Sequence, residues 1–279
     1  VKMASQPAAA LPPVPVCPPN SSGLLVVLRG EAFRSGTHRT RAHTNVTREQ
    51  LDGLDTVGRY VLEPAARRGW DVRLALHVFA PLWQVELLVE HLTHRMHCRP
   101  AAVRSAAQPD QPSQLASIAD TLGWVSSLSH GRWGAALLLL RIDLAFKMAL
   151  PLPAPCGRRI RDVMMSFQQS ERFGSHTHHM HPRVADMLML LPSVRFEEVY
   201  NKIRHAANRP KEVLHELCDW VSGVRFFLSP GYDADSEKEW NPLYKLIGRE
   251  EAPPHSVNPK LLPAKVGGKY KVGPQATKC

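Results

Sequence analysis

Five consecutive residues, 24–28 (Leu-Leu-Val-Val-Leu), carry no polar side chain and are bounded by Gly23 and Gly30. A strand with one wet face alternates polar and apolar residues. A strand apolar at every position is covered on both faces, the situation inside a parallel sheet. Residues 72–79 read as a second strand and 135–142 as the most apolar strand of all, with weaker candidates at 101–104, 162–167 and 223–228. Residues 187–191 form a further apolar segment.

Helical spacing fills the intervals. Thr47 with Gln50 three residues on has the form of a capping box. Leu51, Leu54, Gly58, Val61 and Leu62 then recur at helical spacing up to Gly69. A second helix is predicted over 82–96 with Leu87, Leu88 and Leu92 inward. A third opens at Ser113 and carries Leu115, Ile118, Leu122 and Val125, and two more are predicted over 194–206 and 211–221. Strands alternating with helices predict βαβ units: an α/β fold with a mostly parallel central sheet and helices on both faces. Residues 1–22, rich in proline, read as a disordered leader. Residues 23–249 read as one α/β domain and 250–279 as a basic, flexible tail.

Charge narrows the partners. Lys and Arg number 35 against 25 Asp and Glu, a net charge of +10, which favours anionic ligands. The longest unbroken apolar run, 135–140, is far short of the roughly 20 residues that span a bilayer, so no membrane span is expected. Cys17, Cys98, Cys156, Cys218 and Cys279 include no Cys-x-x-Cys pair, which argues against a structural zinc site and a disulfide framework.

Ligands of open parallel sheets bind beyond the carboxyl ends of the strands, so the residues following each apolar run are the site candidates. After the first run come Arg29, Gly30, Arg34 and Gly36: glycines that admit a close ligand and guanidinium groups suited to phosphate. No Gly-Lys-Ser/Thr closes this loop, so it is not a Walker loop, and the alternative is a solvated basic turn. After the fourth run come Arg141, Ile142 and Asp143. Period-two alternation puts Arg141 and Asp143 on one face. They form either an internal ion pair or a contact to a metal ion or sugar nucleotide, Asp143 being the candidate metal ligand. His176, His178, His179 and His181 form a loop that is either exposed or holds a metal or a general base. Asp186 precedes the 187–191 segment as a candidate catalytic base, and Asp233 and Asp235 make the chain's only Asp-x-Asp.

Taken together, residues 24–36 and the Arg141-Ile142-Asp143-Leu144 element resemble a group of small glycosyltransferases of the GT-A type. In these a first strand ends in a Gly/Arg loop, and an Arg-x-Asp-Leu element replaces the Asp-x-Asp of other members. Arg183-Val184-Ala185-Asp186-Met187-Leu188 fits their following segment, and the likeness runs over about residues 24–207. The resemblance implies a GT-A/Rossmann-like fold and sugar transfer from a nucleotide-sugar donor to an unknown acceptor, with a divalent cation, Mn or Mg. It implies Arg29, Gly30 and Arg34 near the donor, Arg141 and Asp143 at the diphosphate, cation or ribose, and Asp186 at the acceptor. Arg141 stands where the first carboxylate of Asp-x-Asp would be, so the guanidinium itself is a candidate positive partner. An intact fold that had lost its chemistry would carry the same signs.

Two alternatives stand beside this reading. Residues 33–37 (Phe-Arg-Ser-Gly-Thr) also resemble the phosphate loop of sulfotransferases, although no apolar helix begins directly behind Thr37. A non-catalytic basic α/β module binding anionic partners would account for the charge without an active site. No nucleic-acid motif is present and aromatic residues do not interleave with the arginines, so nucleic acid is not the expected partner. Localisation follows the same division: the Golgi or secretory pathway if an anchor precedes Val1, the cytoplasm otherwise.

Overall fold

The structure, a computed structural model, describes residues 22–33, 46–106, 114–128, 134–155, 158–166, 168–169, 183–184, 188–209, 217, 221–227 and 243–246. Strand β1 is Gly23–Glu31. Helix α1, Val46–Val57, runs through a π-helical turn at Gly58–Leu62 into α2, Glu63–Arg67. Then follow β2 (Asp71–Phe79), α3 (Leu82–Glu90) with a π-helical turn at His91–Arg95, β3 (Ala102–Ala106), α4 (Gln114–Ser127) and β4 (Ala136–Arg141). The second half holds β5 (Leu144–Phe146), β6 (Val163–Met165), β7 (Gln168–Gln169), β8 (Arg183–Val184), β9 (Leu188–Pro192), α5 (Phe196–Ala207), β10 (Val224–Phe226) and β11 (Tyr244–Leu246).

Seven strands form one sheet in the order β10-β6-β9-β4-β1-β2-β3. β1 pairs in parallel with both β2 and β4, β2 with β3, and β6 with β10. β9 is antiparallel to both its neighbours, β4 and β6, and is the one reversed strand of the sheet. The chain leaves β1 toward β2 and β3, then returns to place β4 on the other side of β1. That reversal of direction makes the carboxyl ends of β1 and β4 the topological switch point.

The apolar runs are buried on both faces, as their composition requires. Leu24, Val26 and Leu28 join Leu74, Leu76, Leu138 and Leu140 under Leu54 and Val57 of α1 and Val85 and Leu88 of α3. Leu25 and Val27 join Ala75, Leu137 and Leu139 under Leu115, Ile118 and Leu122 of α4 and Phe196, Val199 and Ile203 of α5. Each such side chain contributes about 1.5–3 kcal/mol relative to exposure, so these two layers hold the sheet between its helices.

Two small pairings were not predicted. Leu144–Phe146 pairs antiparallel with Tyr244–Leu246, and Gln168–Gln169 with Arg183–Val184. The first is tied to α1 by the Phe146 N–H, which donates to Thr56 Oγ1 at 2.7 Å. The helix expected to open with a Thr47 cap already includes Thr47, since it starts at Val46. Of the helix expected at 211–221, only Leu217 and Val221 are among the described residues.

Candidate functional site

At the switch point Arg29 and Arg141 are register partners on adjacent strands. The Ile142 N–H donates to the Arg29 carbonyl at 2.9 Å, so the two strand ends stay joined where the chain turns away. The Arg141 guanidinium reaches Asp143 with two donors: Nε lies 2.9 Å from Oδ1 and Nη2 contacts Oδ2. The side chains of Arg141 and Asp143 are 12% and 13% exposed, and Arg29 is 5% exposed. Arg29 and the Arg141–Asp143 ion pair thus share one end of the sheet, largely buried. Gly30 lies beside them at φ +117, a conformation that side chains rarely adopt. A Cβ there would meet only Ile142 Cγ2, at 3.9 Å, so backbone angle rather than crowding calls for glycine. Arg34, Gly36, Asp186, the histidines at 176, 178, 179 and 181, and Asp233 and Asp235 lie outside the described residues.

Gln50, expected to close a capping box, does something else. It is 2% exposed, and its Oε1 accepts from the Phe33 N–H while its Nε2 donates to the Ile142 carbonyl at 3.2 Å. One amide thus pairs a donor in the loop after β1 with an acceptor in the loop after β4, buried groups that would otherwise each cost about 1–3 kcal/mol. It holds the two lips of the switch point at fixed separation.

A second feature emerges only from the register. Arg141, Arg29, His77 and Arg104 are aligned on β4, β1, β2 and β3, one basic residue per strand. Alternation places them on the face covered by α4 and α5. Helix α4 answers with Asp120, whose Oδ1 takes Arg104 Nη2 at 3.0 Å and whose Oδ2 lies 3.2 Å from His77 Nε2. His77 is fully buried, with Trp124 and Phe79 against its ring. Its Nδ1 lies 2.7 Å from Thr121 Oγ1, and that hydroxyl donates its own proton to the Ser117 carbonyl at 2.8 Å. Thr121 thus sits at Nδ1 and Asp120 at Nε2, so both ring nitrogens face a polar group.

Burial lowers the His77 pKa to about 4; Asp120 opposes this, while Arg104 and Arg29 add to it. In the unfolded chain the group titrates near 6.5. Between those values the unfolded state binds more protons, so His77's contribution is complete above pH 6.5 and is lost as pH falls toward 4. The integrated loss is about 3 kcal/mol. Urea unfolding at pH 7.5 and 4.5 is expected to show that much more acid destabilisation in wild type than in His77→Gln. Parallel pH dependences would contradict it.

Sequence reading passed over His77, Arg104 and Asp120. The available signal was one imidazole inside an otherwise apolar stretch of β2; its partners depend on strand register and helix placement. Among the described residues, no group of three or more His, Cys, Asp and Glu side chains is arranged to hold a metal ion. Asp143 turns both carboxylate oxygens to Arg141, and the other candidate oxygen ligands, Asp186, Asp233 and Asp235, lie outside the described residues.

No protein-family model matches the chain, and no curated protein matches it. Among solved structures it is similar to a nucleoside-diphosphate-sugar pyrophosphorylase from Vibrio cholerae RC9, at 11% identity and TM-score 0.42, over 69% of this chain and 85% of that one. It is also similar to a 4-diphosphocytidyl-2C-methyl-D-erythritol synthase from Anaerococcus prevotii DSM 20548, at 11% identity and TM-score 0.42, over 71% and 84%. Likenesses this distant carry no argument about the chemistry of this chain. No helix among the described residues is long and apolar enough to cross a membrane.

Proposed function

We propose that this chain binds a nucleoside diphosphate-sugar across the strand ends of β1 and β4 and transfers the sugar to an acceptor. The observation that carries the reading is the meeting of Arg29, Gly30, Arg141 and Asp143 at the switch point. Departure of the sugar leaves growing negative charge on the diphosphate, and a fixed positive site stabilises that charge most effectively where water is scarce. Arg141, held in geometry by Asp143, is the contact partner in this reading. Arg29, at 5% exposure, acts through its field rather than by touch, since a charge in a low-dielectric setting is felt farther than a solvated one. Asp186, with Arg34 on the donor side, is proposed for the acceptor. Beside Asp143, Arg141 supplies a fixed positive charge in this reading.

Thermal unfolding with uridine, guanosine and adenosine diphosphates, with and without manganese, tests the reading. At 100-fold excess over Kd a ligand adds about 2.7 kcal/mol. At about 2–4 °C per kcal/mol for a domain of this size, the expected rise is about 5–10 °C. A response to adenosine 3′,5′-bisphosphate alone would support the sulfotransferase reading. No response to any nucleotide would support the binding module, although the burial of Arg29 and His77 counts against an exposed basic face there.

A further inference from the structure

The segment that follows β4 is pinned to α1 and α2 along its length. Gln50 Nε2 donates to the Ile142 carbonyl at 3.2 Å, the Phe146 N–H donates to Thr56 Oγ1 at 2.7 Å, and the Leu150 N–H donates to the Tyr60 carbonyl at 2.8 Å. Farther on, Arg68 donates to the Leu152 carbonyl and the Trp70 indole to the Pro153 carbonyl, the second at 3.0 Å. Gln50 differs from the other pins because it also holds the loop that leaves β1: its Oε1 accepts from the Phe33 N–H. Phe33 is buried at φ +47, in the left-handed region. Such a conformation costs of order 1–3 kcal/mol and persists where its surroundings over-determine it. They do so here. The Ala32 N–H donates to the Phe79 carbonyl at 3.3 Å, and the Ile142 N–H donates to the Arg29 carbonyl at 2.9 Å. The backbone from Arg29 to Phe33 is thus tied to β2, to the loop after β4 and, through Gln50, to α1. A buried amide adds less to a hydrophobic layer than an apolar side chain of its size, yet its donor and acceptor fix two backbone groups in distance and direction.

We propose that Gln50 is the positioning residue of the ligand site at the ends of β1 and β4, setting the separation and orientation of the two loops that border it. This rests on the diphosphate reading of those strand ends and deepens it by naming what pre-organises them. Gln50 acts through the backbone and not by touching the ligand. Ile142 stands between Arg141 and Asp143, so a shift of its carbonyl shifts the turn that carries the ion pair. On the other side, Phe33 ends the braced stretch that begins at Arg29. A site that recognises by geometry tolerates displacements of only about 0.5 Å, so releasing the two loops is expected to weaken binding about 10-fold.

Calorimetric titration of uridine, guanosine and adenosine diphosphates into wild type, Gln50→Glu, Gln50→Leu and Trp70→Phe tests the assignment. The affinity of each variant is taken relative to wild type at each pH, which cancels titration of the ligand. Protonated, the carboxyl of Gln50→Glu offers an acceptor to the Phe33 N–H and a donor to the Ile142 carbonyl. Ionised, it turns a negative oxygen to that carbonyl, and burial moves the change above the ordinary carboxylate range, within a scan from about pH 5.5 to about pH 9. Gln50→Glu is expected to bind as wild type does at the acid end and about 10-fold more weakly at the alkaline end. Gln50→Leu is expected to be weakened by that factor throughout. Trp70→Phe removes a pin farther along the segment and is expected to lower the unfolding midpoint with affinity unchanged. A role in stability alone would move the midpoints and leave every affinity at the wild-type value. A Gln50→Glu ratio that does not vary with pH overturns the assignment and leaves the diphosphate site standing, and it decides the matter should Gln50→Leu fail to fold. An equal loss of affinity in Trp70→Phe overturns it as well. Failure of wild type to bind any of the three nucleotides overturns the diphosphate site and the role of Gln50 with it.

Discussion

Gly134→Val is expected to cost at least about 3 kcal/mol and to be among the most damaging single substitutions in the protein. Gly134 has φ +123, and a Cβ there would lie 2.6 Å from Gly23 C, Cα and O. Those are backbone atoms at the start of β1, so no side-chain rotation relieves the clash. The neighbouring Ala135 N–H donates to the Gly23 carbonyl at 2.8 Å, so the strands would have to separate where their pairing begins. Gly134→Ala brings the same Cβ and is expected to cost nearly as much. Gly30→Ala is the control: it has a similar φ of +117 but its Cβ would make only an ordinary contact, with Ile142 Cγ2 at 3.9 Å, and should cost only the backbone strain, about 1–3 kcal/mol. Denaturant midpoints of the variants check the order; equal costs at the two glycines would contradict it.

Asp143→Ala is expected to lower stability by about 3 kcal/mol and to abolish the thermal response to nucleoside diphosphate. Removing one member of a largely desolvated pair leaves the other without its counter-charge, which costs more than an exposed ion pair ever contributes. Arg141 would also lose the acceptor that takes two of its donors and fixes its fork. Asp143→Asn, which keeps the shape and one acceptor oxygen, should recover part of the stability. A folded Asp143→Ala protein that responds to nucleotide as wild type does would remove Asp143 from the site.

Sequence patterning made the centre of the sheet legible. The runs at 24–28, 72–79 and 135–142 became β1, β2 and β4 because strands covered on both faces are built mostly from apolar side chains. Period two was enough to put Arg141 and Asp143 together, and they are paired. The direction of β9 was not readable, since the run Leu-Met-Leu-Leu-Pro has the same pattern whichever way it enters the sheet. The short strand Leu144–Phe146 follows β4 too closely to show as a separate element, and its partner, Tyr244–Leu246, is about a hundred residues away. Gln50 was misread because Thr-x-x-Gln near a helix start is a local signal, whereas its amide is engaged by Phe33 and Ile142, the latter 92 residues on. The basic row follows the same rule: four residues spread from position 29 to 141 become neighbours only once the strand order and register are known.

Calorimetric titration of the most stabilising nucleoside diphosphate into wild type and Arg141→Gln tests the proposed site most directly. A charge-assisted contact at the ends of β1 and β4 predicts affinity about 10- to 100-fold weaker in the variant, corresponding to about 1.5–3 kcal/mol. Unchanged affinity in a folded Arg141→Gln protein would contradict a diphosphate site at those strand ends.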